Sequence, residues 1–237
     1  MKLGALIPVL NEWRFVPAVA GQLLEVVDRC LILRGNQALS GAPVEPGPVP
    51  TLDPRIEIVE GNWASENETR NAGMELVSDC DYIFMVDSDE ILVDEDLQRL
   101  KTLCERELPE VIAVQLHTYW KTSQYRIQPP EDGVIRMVLR RDVRFEGLRG
   151  VQAPVVQADV WCRHLSYVRT DEELLEKLRL FSHADEIRPN WYEQVWKAWD
   201  TRQDLEDLHP IHPAAYKRAV YAPDPALDAV LKKWGCR

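Results

Sequence analysis

A chain of 237 residues, 46% hydrophobic and 28% charged, can bury a full core as one domain, with room for a helical appendage. Its formal net charge of −11 argues against a surface that tracks a nucleic-acid backbone, and no apolar run reaches the length of a transmembrane segment. Five widely spaced cysteines without a CxxC pair exclude the common zinc spacings and fit a reducing, cytoplasmic location.

The opening MKLGALIPVLNE reads as a strand entering a polar turn, without the longer apolar run and cleavage site of a signal peptide. Lys2 to Val9 is that strand, and Pro8-Val9-Leu10-Asn11-Glu12 ends it. Val16, Val19, Leu23, Val26 and Val27 recur at helical spacing, and Pro17 is tolerated only in a first turn, so a helix is expected over 15–27. Cys30 to Leu33 is a second short strand, parallel to the first because βαβ crossovers are right-handed. Residues 35–54 carry five prolines and no periodicity, which reads as a flexible loop, either a lid or disordered. Arg55 to Glu60 is the third strand. Ser65 with Glu68 makes a capping box, so a helix should run over 66–77, carrying Thr69-Arg70-Asn71-Ala72-Gly73.

The most informative stretch follows, DCDYIFMVDSDEILV at 79–93. Tyr82 to Val86 is too short for a helix and too apolar for a solvated strand, so it is expected as a central strand buried on both faces. Such a strand delivers Asp87, Ser88, Asp89 and Glu90 to the carboxyl edge of the sheet, where open α/β folds bind ligands. Carboxylates crowded there raise one another's pKa values unless a cation compensates, which points to a divalent metal with oxygen ligands. The plainer alternative is a helix N-terminus, since Asp94, Glu95 and Asp96 follow.

A helix over 97–107 and a strand over 111–118 come next. In 119–160 a Pro129-Pro130-Glu131-Asp132-Gly133 turn separates 125–127 from 134–139, as in an antiparallel hairpin or a mixed-sheet excursion. Arg136, Arg140, Arg141, Arg144 and Arg149 give this region a local positive excess, suited to an anionic substrate or to a charge-protected strand edge. A strand within 155–168 leads to helices over 171–184, capped by Thr170, and over 191–199, with aromatics that suit core packing or sugar stacking. The tail, 213–234, holds one or two short helices divided by Pro223 and Pro225.

In order and spacing these pieces resemble the nucleotide-sugar glycosyltransferases of the GT-A fold, closest to family 2. The likeness lies in Pro8-Val9-Leu10-Asn11-Glu12 after the first strand, Thr69-Arg70-Asn71-Ala72-Gly73 before the acidic strand, Asp87-Ser88-Asp89 in the place of a metal-binding Asp-x-Asp, and Arg163-His164-Leu165-Ser166-Tyr167. It implies a Rossmann-like, mostly parallel sheet flanked by helices, with a mixed or antiparallel middle segment and C-terminal helices. The catalytic domain would span 1–168, with 169–237 a helical extension packed on it. The family's acidic residue after the second strand is replaced here by Leu33-Arg34-Gly35-Asn36.

The implied reaction moves a sugar from a nucleoside diphosphate sugar to an unidentified acceptor hydroxyl, with Mn²⁺ or Mg²⁺ neutralising the diphosphate as it leaves. Asp89 is expected as direct metal ligand, Asp87 as a ligand through water or a ribose contact, and His164 as a distal ligand by resemblance. The alternative for His164 is a hydrogen-bonded histidine at a sheet edge. Pro8, Asn11 and Glu12 would line the nucleotide pocket. Arg70 would reach the nucleotide or, alternatively, pair with Glu66. An inverting enzyme needs a carboxylate base, for which Glu146 and then Asp200 are the candidates; a retaining route would use the diphosphate itself. Competing classes are a nucleotidyltransferase acting on a sugar phosphate, which wants a Gly-rich basic loop where Leu10-Asn11-Glu12-Trp13-Arg14 stands, and a non-catalytic nucleotide- or sugar-binding module.

Overall fold

The computed structural model describes residues 1–38, 44, 47–147, 149–180 and 183–236. Much of the proline-rich loop, at 39–43 and 45–46, therefore lies outside the described residues, and with it the expectation of a lid or disorder.

Three parallel strands, β1 (Leu3–Val9), β2 (Arg29–Gly35) and β3 (Ile56–Gly61), continue on the other side of β1 into β4 (Tyr82–Met85). All four residues of β4 are buried, as an apolar run covered on both faces requires. Helix α1 (Val16–Leu23) packs on one face and α2 (Glu66–Leu76) on the other. Helix α1 is shorter than its periodicity suggests, because Leu24 to Val27 close in turns after it. The capping box at the start of α2 is present: Ser65 Oγ accepts from Glu68 N at 3.2 Å, and Glu68 Oε2 accepts from Ala64 N at 2.8 Å.

Beyond β4 the sheet turns antiparallel. A two-residue strand β5 (Glu90–Ile91) and helix α3 (Asp94–Glu107) lead into β6 (Val111–Trp120), β7 (Thr122–Gln128) and β8 (Ile135–Arg140), in the order β7-β6-β8-β4-β1-β2-β3. Of the two readings of this segment the mixed-sheet excursion holds and the direct hairpin does not: β7 and β8 flank β6 and do not pair with each other. A tight turn at Lys121, with φ of 62°, folds β7 directly back onto β6. The short ribbon β9 (Phe145–Glu146) and β10 (Gly150–Val151) stands apart from the main sheet.

The long β11 (Val155–Tyr167) runs parallel to β6 and antiparallel to β5. After it come α4 (Asp171–Leu180), a π-helical turn over Tyr192–Lys197, β12 (Arg218–Tyr221) and α5 (Pro225–Lys233). The C-terminal region is thus not wholly helical, since β12 adds an edge strand next to β7. Trp191, Trp196 and Trp199 are buried against Trp120, Tyr167 and Tyr216, so these aromatics are core. Among the described residues no helix is long and apolar enough to cross a membrane.

One polar knot fastens the tail to this frame. Asp224 caps α5, accepting from Ala226 N and Leu227 N at 3.0 Å each, and its other oxygen takes Arg163 Nε and the Tyr119 hydroxyl at 3.0 Å. Burial opposes the charge, but the Leu227 amide and Arg163 hold the carboxyl below its ordinary value of 3.8. A depressed carboxylate contributes stability above its unfolded pKa and loses it as pH falls through the folded one. Asp224→Ala is therefore expected to cost about 2 kcal/mol at neutral pH, the sum of a lost cap and a lost charged hydrogen bond. In thermal melts of the two proteins the gap should close only below pH 4 or so.

Candidate functional site

The carboxyl edge of β1 and β4 opens into a cleft of about 370 Å³, floored by Pro8 to Glu12, Asp87, Ser88 and Asp89 and walled by Trp63, Arg70, His164 and Lys177. Its position follows from topology, because parallel strands end together and their loops diverge there. Pro8, Asn11, Glu12, Arg70, Asp87, Asp89 and His164 all line this one cavity.

Three residues of 69–73 have distinct tasks. Gly73 sits where an added Cβ would come within 2.5 Å of Leu33 Cδ1 and 2.8 Å of Leu6 Cδ1, so a larger residue there would force these two buried leucines to move. Asn71 binds the backbone of Phe145 in both directions, each at 3.0 Å, and so positions the β9–β10 ribbon. Arg70, buried to 4% exposure, pairs with Glu66 at 2.9 Å and reaches Asp87 Oδ1 at 3.5 Å. Arg70 therefore makes the pair with Glu66 while lining the cleft.

Asp87 faces a second guanidinium. Arg149 lies 3.0 Å from Asp87 Oδ1 and grips Glu90 with both nitrogens, at 2.8 and 3.0 Å. Burial resists the Asp87 charge, yet Arg149 and Arg70 hold its pKa below the ordinary value. Glu90 goes the other way: burial, reinforced by Asp87, pushes it up against the pull of Arg149.

Asp89 is surrounded differently. Its Oδ2 meets Arg169 at 3.2 Å and Lys177 at 3.6 Å, while Oδ1 faces His164 Nε2 at 3.8 Å, too far for a hydrogen bond. Burial is outweighed by Lys177, His164 and Arg169, so this carboxyl is held far below its usual range. The antiparallel pairing of β11 with β5 places His164 opposite Glu90, and Leu165 N donates to Asp89 O at 2.7 Å. Backbone register, not chance packing, sets the imidazole beside the aspartate. On its far side, Nδ1 lies 3.1 Å from Thr118 Oγ1 and 3.8 Å from Glu131. Burial lowers the affinity of the ring for a proton, but Glu131 and Asp89 prevail and its pKa is raised.

Among the described residues no group of three His, Cys, Asp or Glu side chains forms a ready cation cage. The pair that can share a cation is Asp89 Oδ1 with His164 Nε2, facing each other without a hydrogen bond. Asp87 is turned instead toward Arg149 and Arg70.

The two candidate bases lie elsewhere. Glu146 is exposed on β9, outside the cleft lining, where it accepts from Gln152 Nε2 at 2.6 Å. Asp200 is exposed after the π-helical turn and pairs with Lys121 at 3.0 Å. Of the arginine-rich middle segment, Arg140 pairs with Asp142 and Arg144 with Glu75 at the surface, and Arg149 alone is seen to touch the site's acids. Sequence reasoning missed Arg169, Lys177, Thr118 and Glu131 as site residues. Arg169 and Lys177 follow His164 closely and could have been flagged on that ground; Thr118 and Glu131 arrive through strand pairing and carry no local signal.

No protein-family model matches the chain, and neither does any curated protein at a significant level. Among solved structures, residues 1–349 of S. aureus TarS superpose with a TM-score of 0.45 at 12% identity, covering 76% of this chain and 64% of that one. The same protein in complex with UDP-GlcNAc gives 0.46 and 12%, over 76% and 65%. Glucosyl-3-phosphoglycerate synthase from Mycobacterium tuberculosis, in complex with Mn²⁺, UDP-glucose and phosphoglyceric acid, gives 0.35 and 14%, over 48% and 44%. The chain spans less than two thirds of the length of each of these structures.

Proposed function

We propose that this chain is a GT-A-type glycosyltransferase that moves a sugar from a nucleoside diphosphate sugar to an acceptor hydroxyl with the aid of Mn²⁺ or Mg²⁺. The observation that carries the reading is the meeting of Asp89 and His164 in a cleft whose other walls are the turn after β1, the basic Arg70 and Lys177, and the indole of Trp63. An imidazole in the donor set tilts the preference toward Mn²⁺. Asp89 and His164 would hold the ion and leave its other positions to phosphate oxygens and water, as suits a cation bound jointly with a substrate. When bound, the ion supplies Lewis-acid neutralisation of the departing diphosphate.

The protein's own residues do the rest. Arg70 and Lys177 present positive charge to the phosphates, Pro8 to Glu12 shape the nucleotide pocket, and Arg149 fixes Asp87 at the floor. Residues 169–237 act as part of the same catalytic unit, since Arg169 and Lys177 belong to them. Glu146 and Asp200 are held by other partners, so the base role is assigned to neither.

Incubation with UDP-, GDP- and dTDP-sugars and Mn²⁺ should release free nucleoside diphosphate, and EDTA should stop the release. Thermal stabilisation by these donors without turnover would instead mark a binding module. Turnover confined to a sugar phosphate with a nucleoside triphosphate would mark a nucleotidyltransferase.

A further inference from the structure

We propose that Glu131, acting through the Thr118 hydroxyl, is a positioning residue that keeps the proton of His164 on Nδ1 and so turns the Nε2 lone pair toward Asp89. The inference deepens the cation-site reading above and rests on it for its consequence, though the proton placement stands on hydrogen-bond bookkeeping alone.

Thr118 has one hydroxyl proton. Its Oγ1 makes a short hydrogen bond to Glu131 Oε1, and an ionised carboxylate only accepts, so the hydroxyl donates there. The same oxygen lies 3.1 Å from His164 Nδ1. Having given its proton away, Oγ1 can only accept from the ring, which requires a hydrogen on Nδ1. In the neutral imidazole, Nε2 is then the bare nitrogen, and it faces Asp89 Oδ1 at 3.8 Å. Imidazoles that bind metals are held in this way by an outer carboxylate, which fixes tautomer and ring orientation.

The architecture supports the relay. Parallel pairing of β6 with β11 sets Thr118 directly beside His164. Thr118 is buried to 1% exposure, so water does not compete for its hydroxyl. Glu131 comes from the turn between β7 and β8, and the buried phenol of Tyr216 from the C-terminal region interacts with both Glu131 and Thr118. The proline-rich turn thus connects the C-terminal region to the cation site.

The test uses the full chain with UDP and Mn²⁺, following free Mn²⁺ by electron paramagnetic resonance. Glu131→Ala should weaken Mn²⁺ binding by about ten- to a hundredfold. Thr118→Val, which keeps the shape and removes the relay, should do the same. Glu131→Gln, whose amide oxygen still accepts from Thr118, should keep most of the affinity. In cation-free protein, at a pH high enough to leave the ring neutral against its raised pKa, the ring ¹⁵N shifts of His164 should identify Nδ1 as the protonated nitrogen, and that preference should vanish in Thr118→Val.

Unchanged Mn²⁺ affinity in folded Glu131→Ala and Thr118→Val, or a neutral ring in the wild type whose one proton is on Nε2, would overturn the proposal. A wild type that shows the Nδ1 tautomer but binds no Mn²⁺ with UDP would leave the proton placement standing and sink the cation-site reading.

Discussion

Asp89→Asn is expected to lower donor turnover at least a thousandfold, about 4 kcal/mol in the transition state, while the protein remains folded. An asparagine keeps the shape and one acceptor oxygen, so Arg169 retains a hydrogen-bond partner in addition to Glu12 at 2.7 Å. What it loses is the charge that holds a cation next to His164. The same change has a second consequence of opposite sign. Arg169, Lys177 and His164 converge on Asp89, and neutralising that aspartate leaves an excess of positive charge in a buried cleft, with Glu12 still on Arg169 and Glu131 still beside His164. A diphosphate then becomes the replacement counter-charge, so nucleoside diphosphate binding in EDTA should tighten as turnover collapses. Calorimetric titration with UDP in chelator, alongside a turnover assay, separates the two effects. Metal-dependent turnover within tenfold of wild type would remove Asp89 from the site.

The contrast between Asp89 and Asp87 shows where sequence reading stops. That an apolar run ends in Asp-Ser-Asp-Glu is a local fact, and the buried β4 and the acidic edge follow from it. The same holds for the Ser65 capping box, because a helix cap acts over a few residues. Which carboxylate keeps a free edge is a different matter. It depends on Arg149, whose backbone adopts a φ of 53° beyond the β9 strand, and on Arg169 and Lys177, brought in by a strand nearly eighty residues downstream. That the hairpin alternative for β7 and β8 fails has a similar origin. The reversal between β6 and β7 uses Lys121 in a left-handed conformation, where a glycine or asparagine would have announced a turn. The Pro-Pro-Glu-Asp-Gly stretch looks like a hairpin turn but spans the width of β6. Strand β12 went unseen because a short edge strand between prolines, with Arg218 and Tyr221 exposed, carries little alternation.

Arg149→Met is expected to cost about 3–5 kcal/mol and to lower Tm by roughly 10 °C, the largest stability effect of any single site substitution considered. Arg149 is the shared counter-ion of Asp87 and Glu90, and Glu90 is buried to 3% exposure. Methionine fills much of the same space, so the loss is electrostatic: Asp87 keeps Arg70 and the more distant His164, while Glu90 loses the guanidinium that grips it. The penalty must also depend on pH. Burial already raises the Glu90 pKa, and without Arg149 it rises further, so the folded variant takes up a proton there that the unfolded chain releases near 4.5. A carboxyl whose folded pKa is raised contributes stability at low pH and loses it as pH climbs through the folded value. The Tm gap to wild type should therefore be small near pH 4.5 and widen toward neutrality, and Glu90→Gln in the same chain should recover much of it. A gap that is constant across this range, or one that Glu90→Gln leaves untouched, would mean that Arg149 stabilises the β9–β10 ribbon by packing and not by holding the two acids apart.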